Sequence, residues 1–182
     1  GHGFIVEHGM EQIVRDARIS TLYEGTTEIQ SLDLLARKVL KSEGKLLKNM
    51  TDLIDQFISQ HQSNEVLKPY LEKLAELKQQ WLSLTKSIAE KAKHNPEEIG
   101  AASVDYLYFS SYVVFAYLWA RMAQVAHEKL ESGTQEEDFY KAKLTTAKFF
   151  YQKLLNRTQS HAASIESGAE SVMELDQDAF AF

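Results

Sequence analysis

The 182-residue chain has no cysteine, only two prolines and only eight glycines. Without thiols, disulfide staples and thiolate chemistry are excluded. Sparse Pro and Gly leave few enforced turns, and no segment shows the alternating, turn-punctuated pattern of strands. No basic stripe offsets a net charge of −6 and a pI near 5.5, which argues against a nucleic-acid partner. No stretch at the N-terminus has the build of a signal peptide, and a cytoplasmic location is the simplest expectation. What remains is 44% hydrophobic and 25% charged, rich in Leu, Ala, Glu, Lys and Gln. That mixture forms helices and supports a real core. The expected fold is all-α.

Apolar residues set the helices. Met10 to Arg18 reads as a short helix. A second, long helix is expected from Thr27 to about Gln60, with Ile29, Leu32, Leu35, Val39, Leu46, Met50, Ile54 and Phe57 at three- and four-residue steps. Gly44 is its one candidate break, as a kink or as a domain boundary. A third helix carries Pro69 in its first turn and a seam from Leu67 through Leu74, Leu77, Trp81 and Leu84 to Ile88. Asn95-Pro96-Glu97-Glu98 is an N-cap, a first-position proline and two acids at the positive end of a helix dipole. The fourth helix starts there and is uncharged from Tyr106 to Ala120. Those fifteen residues are fewer than the ~20 a bilayer needs, so a buried central helix is expected and no transmembrane segment. Thr134 and Glu137 have capping-box spacing and open a fifth helix that runs to about Ile165. Short connections make neighbours antiparallel, giving an up-down bundle of four long helices preceded by a short helix and a loop. Beyond Arg157 the chain carries five acids and no Lys or Arg, and Ser167-Gly168-Ala169-Glu170 can cap one more short helix. Phe180 and Phe182 at the end either dock or fray, fraying being favoured.

Several chemistries fail on residue type. A di-iron bundle needs Glu-x-x-His, and no histidine here has a glutamate three residues before it. There is no His-Glu-x-x-His, phosphate-binding Gly-Lys-Ser/Thr or Gly-x-Ser-x-Gly, and no metal site is expected. The histidines read as surface or helix-end residues. Tyr106, Tyr108, Tyr112 and Tyr117 read as core, and Asp105 and Arg121 as the limits of a buried run.

The stretch from Arg15 to Gln30 stands apart. Gly25 interrupts the periodicity, and Thr27 with Gln30 gives a second capping-box spacing, so Glu24 sits on a loop between two helices. A carboxylate on such a loop can be aimed into a cleft. Gly1-His2-Gly3-Phe4, Glu7, Glu11, Arg15-Asp16-Ala17-Arg18-Ile19 and Leu22-Tyr23-Glu24-Gly25-Thr26 follow each other without a gap. In that order and spacing they resemble the end of the catalytic region of the acyl-CoA dehydrogenases, flavoenzymes that make an enoyl-CoA from an acyl-CoA. His8-Gly9-Met10 departs from the family's aromatic-Pro-aliphatic run. The remaining ~140 residues resemble the helical extension carried by a bacterial subset.

The resemblance implies that Glu24 is the base that takes the α-proton of the thioester. Tyr23 and Gly25 would border the substrate, Gly25 leaving room for the acyl chain. Thr26 and Glu28 would touch the flavin nucleotide of FAD, Glu28 standing where the family often has Gln. Gly1 and Gly3 would lie near the flavin of a neighbouring subunit, so a homo-oligomer is expected, with an electron acceptor of unknown identity. Arg15, Asp16 and Arg18 read as scaffold ions for the loop. Residues 1–44 would close the catalytic region's helical domain, 45–166 form the extension, and 167–182 an acidic arm. The chain opens inside the motif without Met, so it reads as the C-terminal part of a longer protein and is expected to be inactive alone. The reading from a different class is a non-catalytic helical interaction module.

Overall fold

The computed structural model describes residues 1–23 and 25–180; Glu24, Ala181 and Phe182 lie outside the described residues. All regular elements among them are helical. A short helix α1 (Glu11–Arg18) lies between single 3-10 turns, His2–Phe4 and Val6–His8 before it and Ile19–Thr21 after it. Helix α2 (Thr27–Leu32) continues as a π-helix over Asp33–Leu40. Then follow α3 (Lys45–His61), α4 (Lys68–Ala92) and α5 (Glu97–Glu131). Helices α6 (Glu137–Phe149) and α7 (Arg157–Ser167) flank a π-turn at Phe150–Leu154, and α8 (Glu170–Met173) is one turn long.

Two expected helices are each broken in two. The stripe from Thr27 onward does not run through: Glu43 (φ 53°) and Gly44 (φ 76°) are both left-handed, and the Gly44 amide turns back onto the Val39 carbonyl at 2.9 Å. Apolar periodicity survives such a break because the four residues between Leu40 and Lys45 turn the chain while Leu35, Val39, Leu47 and Ile54 all stay in the core. The fifth helix is likewise interrupted, where the Leu155 amide reaches the Phe150 carbonyl at 3.1 Å. This wide turn buries Phe150 and Tyr151 together.

Starts of helices follow side-chain chemistry. Pro69 lies in the first turn of α4, where its missing N–H costs nothing. The Asn95 side chain accepts the Glu97 amide at 3.1 Å at the head of α5, and the Thr134 hydroxyl accepts the Glu136 amide at 3.1 Å before α6. At α2 the cap is Thr26 and not Thr27; its Oγ1 faces the Ile29 amide at 3.5 Å.

Helix α5 is the centre of the bundle, packed against α2, α4, α6 and α7. Its core face passes from large to small side chains, Tyr106, Phe109 and Val113 being followed by Ala116, Ala120, Ala123 and Ala126, all within 1% of full burial. The alanines let neighbouring backbones approach closely. By length and composition α5 is also the one described helix that could cross a membrane, but its contacts use it as a core element. Polar ties fix it to its neighbours. Tyr151 donates to the Ala116 carbonyl at 2.8 Å, the Tyr106 phenol meets Thr85 Oγ1 at 2.7 Å, and Ser31 donates to Ser103 at 3.0 Å.

Candidate functional site

Position 25 has a specific backbone requirement. Gly25 has φ 104°, and a Cβ there would lie 2.9 Å from Ile29 Cγ2. Both facts favour glycine, since a side chain would be strained and would strike the first turn of α2. Directly after it, Thr26 is extended (φ −74°, ψ 170°) and caps α2. The loop is thereby pinned on its downstream side. Helix α2 is pinned in turn to α5 by the Ser31–Ser103 bond between two side chains 0% and 1% exposed, and by fully buried Leu35.

Tyr23 precedes the loop and is 48% exposed. Glu28 lies in the first turn of α2 and is exposed, as are Gly1 and Gly3, around which a Cβ would meet nothing within 4 Å. Glu24, the residue on which the sequence reading turns, lies outside the described residues. The structure therefore brings Tyr23, Gly25, Thr26 and Glu28 to one loop and helix start, while Gly1 and Gly3 sit at the other end of the α1 segment. The ions of α1 brace α1 itself among the described residues: Arg15 pairs with Glu11 at 2.5 Å and Asp16 accepts from Gln12 at 2.7 Å. Ser20 and Thr21 donate to the carbonyls of Ala17 and Arg18 and close the helix into the loop.

Helix α1 and its flanks leave many of their apolar side chains exposed. Phe4, Val6, Ile13, Val14, Ile19 and Leu22 are each more than half exposed.

Two clusters had no local sequence signal. His161 Nδ1 meets Asp105 Oδ1 at 2.7 Å, and its ring stacks on Tyr108 and Tyr112 at 5.3 and 5.9 Å. This histidine is neither free nor a mere helix-end residue, and Tyr108 is 46% exposed; of the four expected core tyrosines only Tyr106 is fully buried. The second cluster is Lys78, almost buried, paired with Asp55 across α3 and α4. No group of three or more metal-ligating side chains occurs among the described residues.

Residues 46–176 match the family described as "Acetyl-CoA dehydrogenase C-terminal like", and residues 1–40 match "Acyl-CoA dehydrogenase, C-terminal domain". The first match alone covers well over half of the chain. The chain belongs to the acyl-CoA dehydrogenases. Among curated relatives of this acyl-CoA dehydrogenase chain is the broad-specificity linear acyl-CoA dehydrogenase of Mycobacterium tuberculosis, 31% identical over 99% of the chain and 31% of the relative. The 3-methylmercaptopropionyl-CoA dehydrogenase of Ruegeria pomeroyi is 30% identical over 95% of the chain and 29% of the relative. A butyryl-CoA dehydrogenase of Syntrophomonas wolfei is 24% identical over 99% of the chain and 30% of the relative. The chain therefore spans about three tenths of the length of the curated relatives it matches.

Proposed function

We propose that the complete protein dehydrogenates an acyl-CoA thioester to the trans-2-enoyl-CoA, with Glu24 as the base and FAD as the hydride acceptor. The observation that supports this reading is that Gly25 and Thr26, the residues next to Glu24 in the sequence, stand at the head of a helix anchored in the bundle core, in a chain of this family. The α-proton goes to the Glu24 carboxylate, and the β-carbon gives up a hydride as the C=C bond forms. When bound, FAD supplies the two-electron acceptor. The Glu24 amide N–H is a donor for the thioester carbonyl, where negative charge develops as the proton leaves. Cover from substrate and from the Tyr23 ring would desolvate the carboxylate and make it a stronger base.

Thr26 and the exposed first turn of α2 offer a hydroxyl and amide donors, which fit the polar part of a flavin nucleotide. The Glu28 carboxylate beside them suits a sugar hydroxyl and not a phosphate. Gly1 and Gly3 leave open backbone that a flavin of a neighbouring subunit can approach. The relatives are named for different acyl groups, so the shared chemistry assigned here is a saturated acyl-CoA and not one chain length.

Glu24→Gln in the complete enzyme tests the base. Anaerobic acyl-CoA should bleach the flavin absorbance of the wild type and leave the flavin-bound variant oxidised. Oxidation near the normal rate in the variant would place the base elsewhere. The 182 residues alone are proposed to be inactive, and stoichiometric FAD on the isolated chain would overturn that. A second role is proposed for residues after Gly44, favoured by the uncovered apolar face of α5: an interaction module. Deleting them should alter assembly or stability while leaving the turnover of each folded site largely intact.

A further inference from the structure

A groove of about 540 Å³ runs between α5 and α6, lined by Leu118, Met122 and Val125 on one side and Phe139 and Tyr140 on the other. Leu118, Val125 and Phe139 are exposed. The two charged residues that line the groove, Arg121 and Lys143, are both cationic. Arg121 is the single charged residue between Tyr106 and Ala126, and from Phe139 to Ile165 there are five Lys and Arg and no Asp or Glu. This is a local exception in a chain of net charge −6. Arg121 and Lys143, at the groove, lie over the rings of Tyr117 and Phe139 at 5.6 and 5.1 Å and form no ion pair with any described carboxylate.

The acidic arm has the opposite character. Val172, Met173 and Leu175 are 66%, 55% and 64% exposed. Among and beside them lie Glu170, Glu174, Asp176 and Asp178, none in an ion pair with a described cation. A short apolar, polyanionic segment and an apolar, cationic groove are thus both uncovered on the same chain.

They cannot meet within one copy. The arm leaves the body at Ala169, which is fully buried and donates its amide to Glu98 Oε1 at 3.3 Å near the head of α5. From Glu98 to the groove residues Leu118 through Val125 is about 30 to 40 Å along the helix at 1.5 Å per residue. Val172 to Leu175 reach at most about 10 to 21 Å from Ala169 even fully extended.

We propose that this groove receives the Glu170–Asp178 arm of a second copy of the chain, with Arg121 and Lys143 facing Glu174 and Asp176 and the groove's apolar walls covering Val172, Met173 and Leu175. The contact is small and charge-steered, hence weak and salt-sensitive. It goes beyond the proposed chemistry and does not depend on it.

The test is photo-crosslinking in the full-length protein with Met173→p-benzoylphenylalanine, in an equal mixture of light and heavy isotope-labelled copies. Light-to-heavy peptides joining position 173 to residues 118–125 or 139–143 are expected. Their yield should fall about tenfold in Arg121→Glu/Lys143→Glu and recover when Glu174→Lys/Asp176→Lys is added, since the charges then match again. Crosslinks confined to one copy, or landing outside the groove, overturn the proposal, as does a yield that ignores the charge reversal. Loss of binding to phosphatidylglycerol vesicles in the groove variant, without any inter-copy crosslink, would assign the groove to a lipid surface and equally overturn it.

Discussion

Replacing Gly25 by alanine separates two physical demands at the candidate site. The backbone at φ 104° is one that L-residues rarely adopt, and holding alanine there costs about 1–2 kcal/mol. The added Cβ would also stand 2.9 Å from Ile29 Cγ2 and 3.1 Å from its Cβ. Ile29 is 59% exposed and can rotate away, at about 0.5–1.5 kcal/mol for an unfavourable rotamer. The sum, about 1.5–3.5 kcal/mol, falls on the loop and on the first turn of α2, whose Gln30 amide bonds the Thr26 carbonyl at 3.0 Å. Amide exchange at Gln30 in Gly25→Ala should therefore speed up about tenfold or more, one tenfold step per ~1.4 kcal/mol. Adding Ile29→Ala removes the Cγ2 contact but neither the 3.1 Å approach to the Cβ nor the backbone strain, so it should recover part of the effect, at most about a third. Exchange unchanged in Gly25→Ala would refute the strained-loop geometry. No recovery with Ile29→Ala would refute the collision.

Two further perturbations probe the bundle. The buried Tyr106 phenol donates to Thr85 Oγ1, whose own proton goes to the Trp81 carbonyl, and burial pushes the phenol up to about 12. An acid whose folded value is raised stabilises the fold below its unfolded value near 10, and that contribution is lost between pH 10 and 12. Melting temperature should thus fall across that window. Tyr106→Phe should flatten part of the fall while lowering the neutral-pH melting temperature by roughly 2–4 °C, from about 1 kcal/mol of lost hydrogen bonding; an unchanged alkaline slope would count against the buried phenol. At the α3–α4 tie, the Lys78 side chain is 10% exposed and Asp55 53% exposed. Asp55→Ala strands a nearly buried ammonium and should cost about 1–3 kcal/mol, whereas Lys78→Met leaves a carboxylate that water can reach and should cost less than about 1. Chemical denaturation ranks the pair, and the reverse order would refute this account.

Legibility differed between elements for physical reasons. The heads of α4, α5 and α6 could be placed because Pro69, Asn95-Pro96 and Thr134 act on their own neighbours. The break at Glu43–Gly44 was visible only as a glycine; that a non-glycine beside it also turns left-handed depends on packing on both sides. The shift of the α2 cap from Thr27 to Thr26 is one hydroxyl competing with the next, settled by where the Gly25 turn aims the chain. Four tyrosines at helical spacing looked like one buried stripe, yet Tyr108 and Tyr112 stack on His161 because α7 crosses α5 there. Residues 56 positions apart, as His161 and Asp105 are, leave no trace in local pattern.

The sequence by itself determined the helical class, the order of elements and the family loop, because turn residues, caps and short motifs act through chemistry within a few residues. The tertiary structure alone decided which face of α5 is core and which is groove. It likewise decided that Ser31 and Ser103 anchor the loop's helix, and that the acidic arm lies beyond reach of the cationic groove on its own copy. Those facts depend on distances between helices, which are set when apolar stripes from remote parts of the chain bury one another.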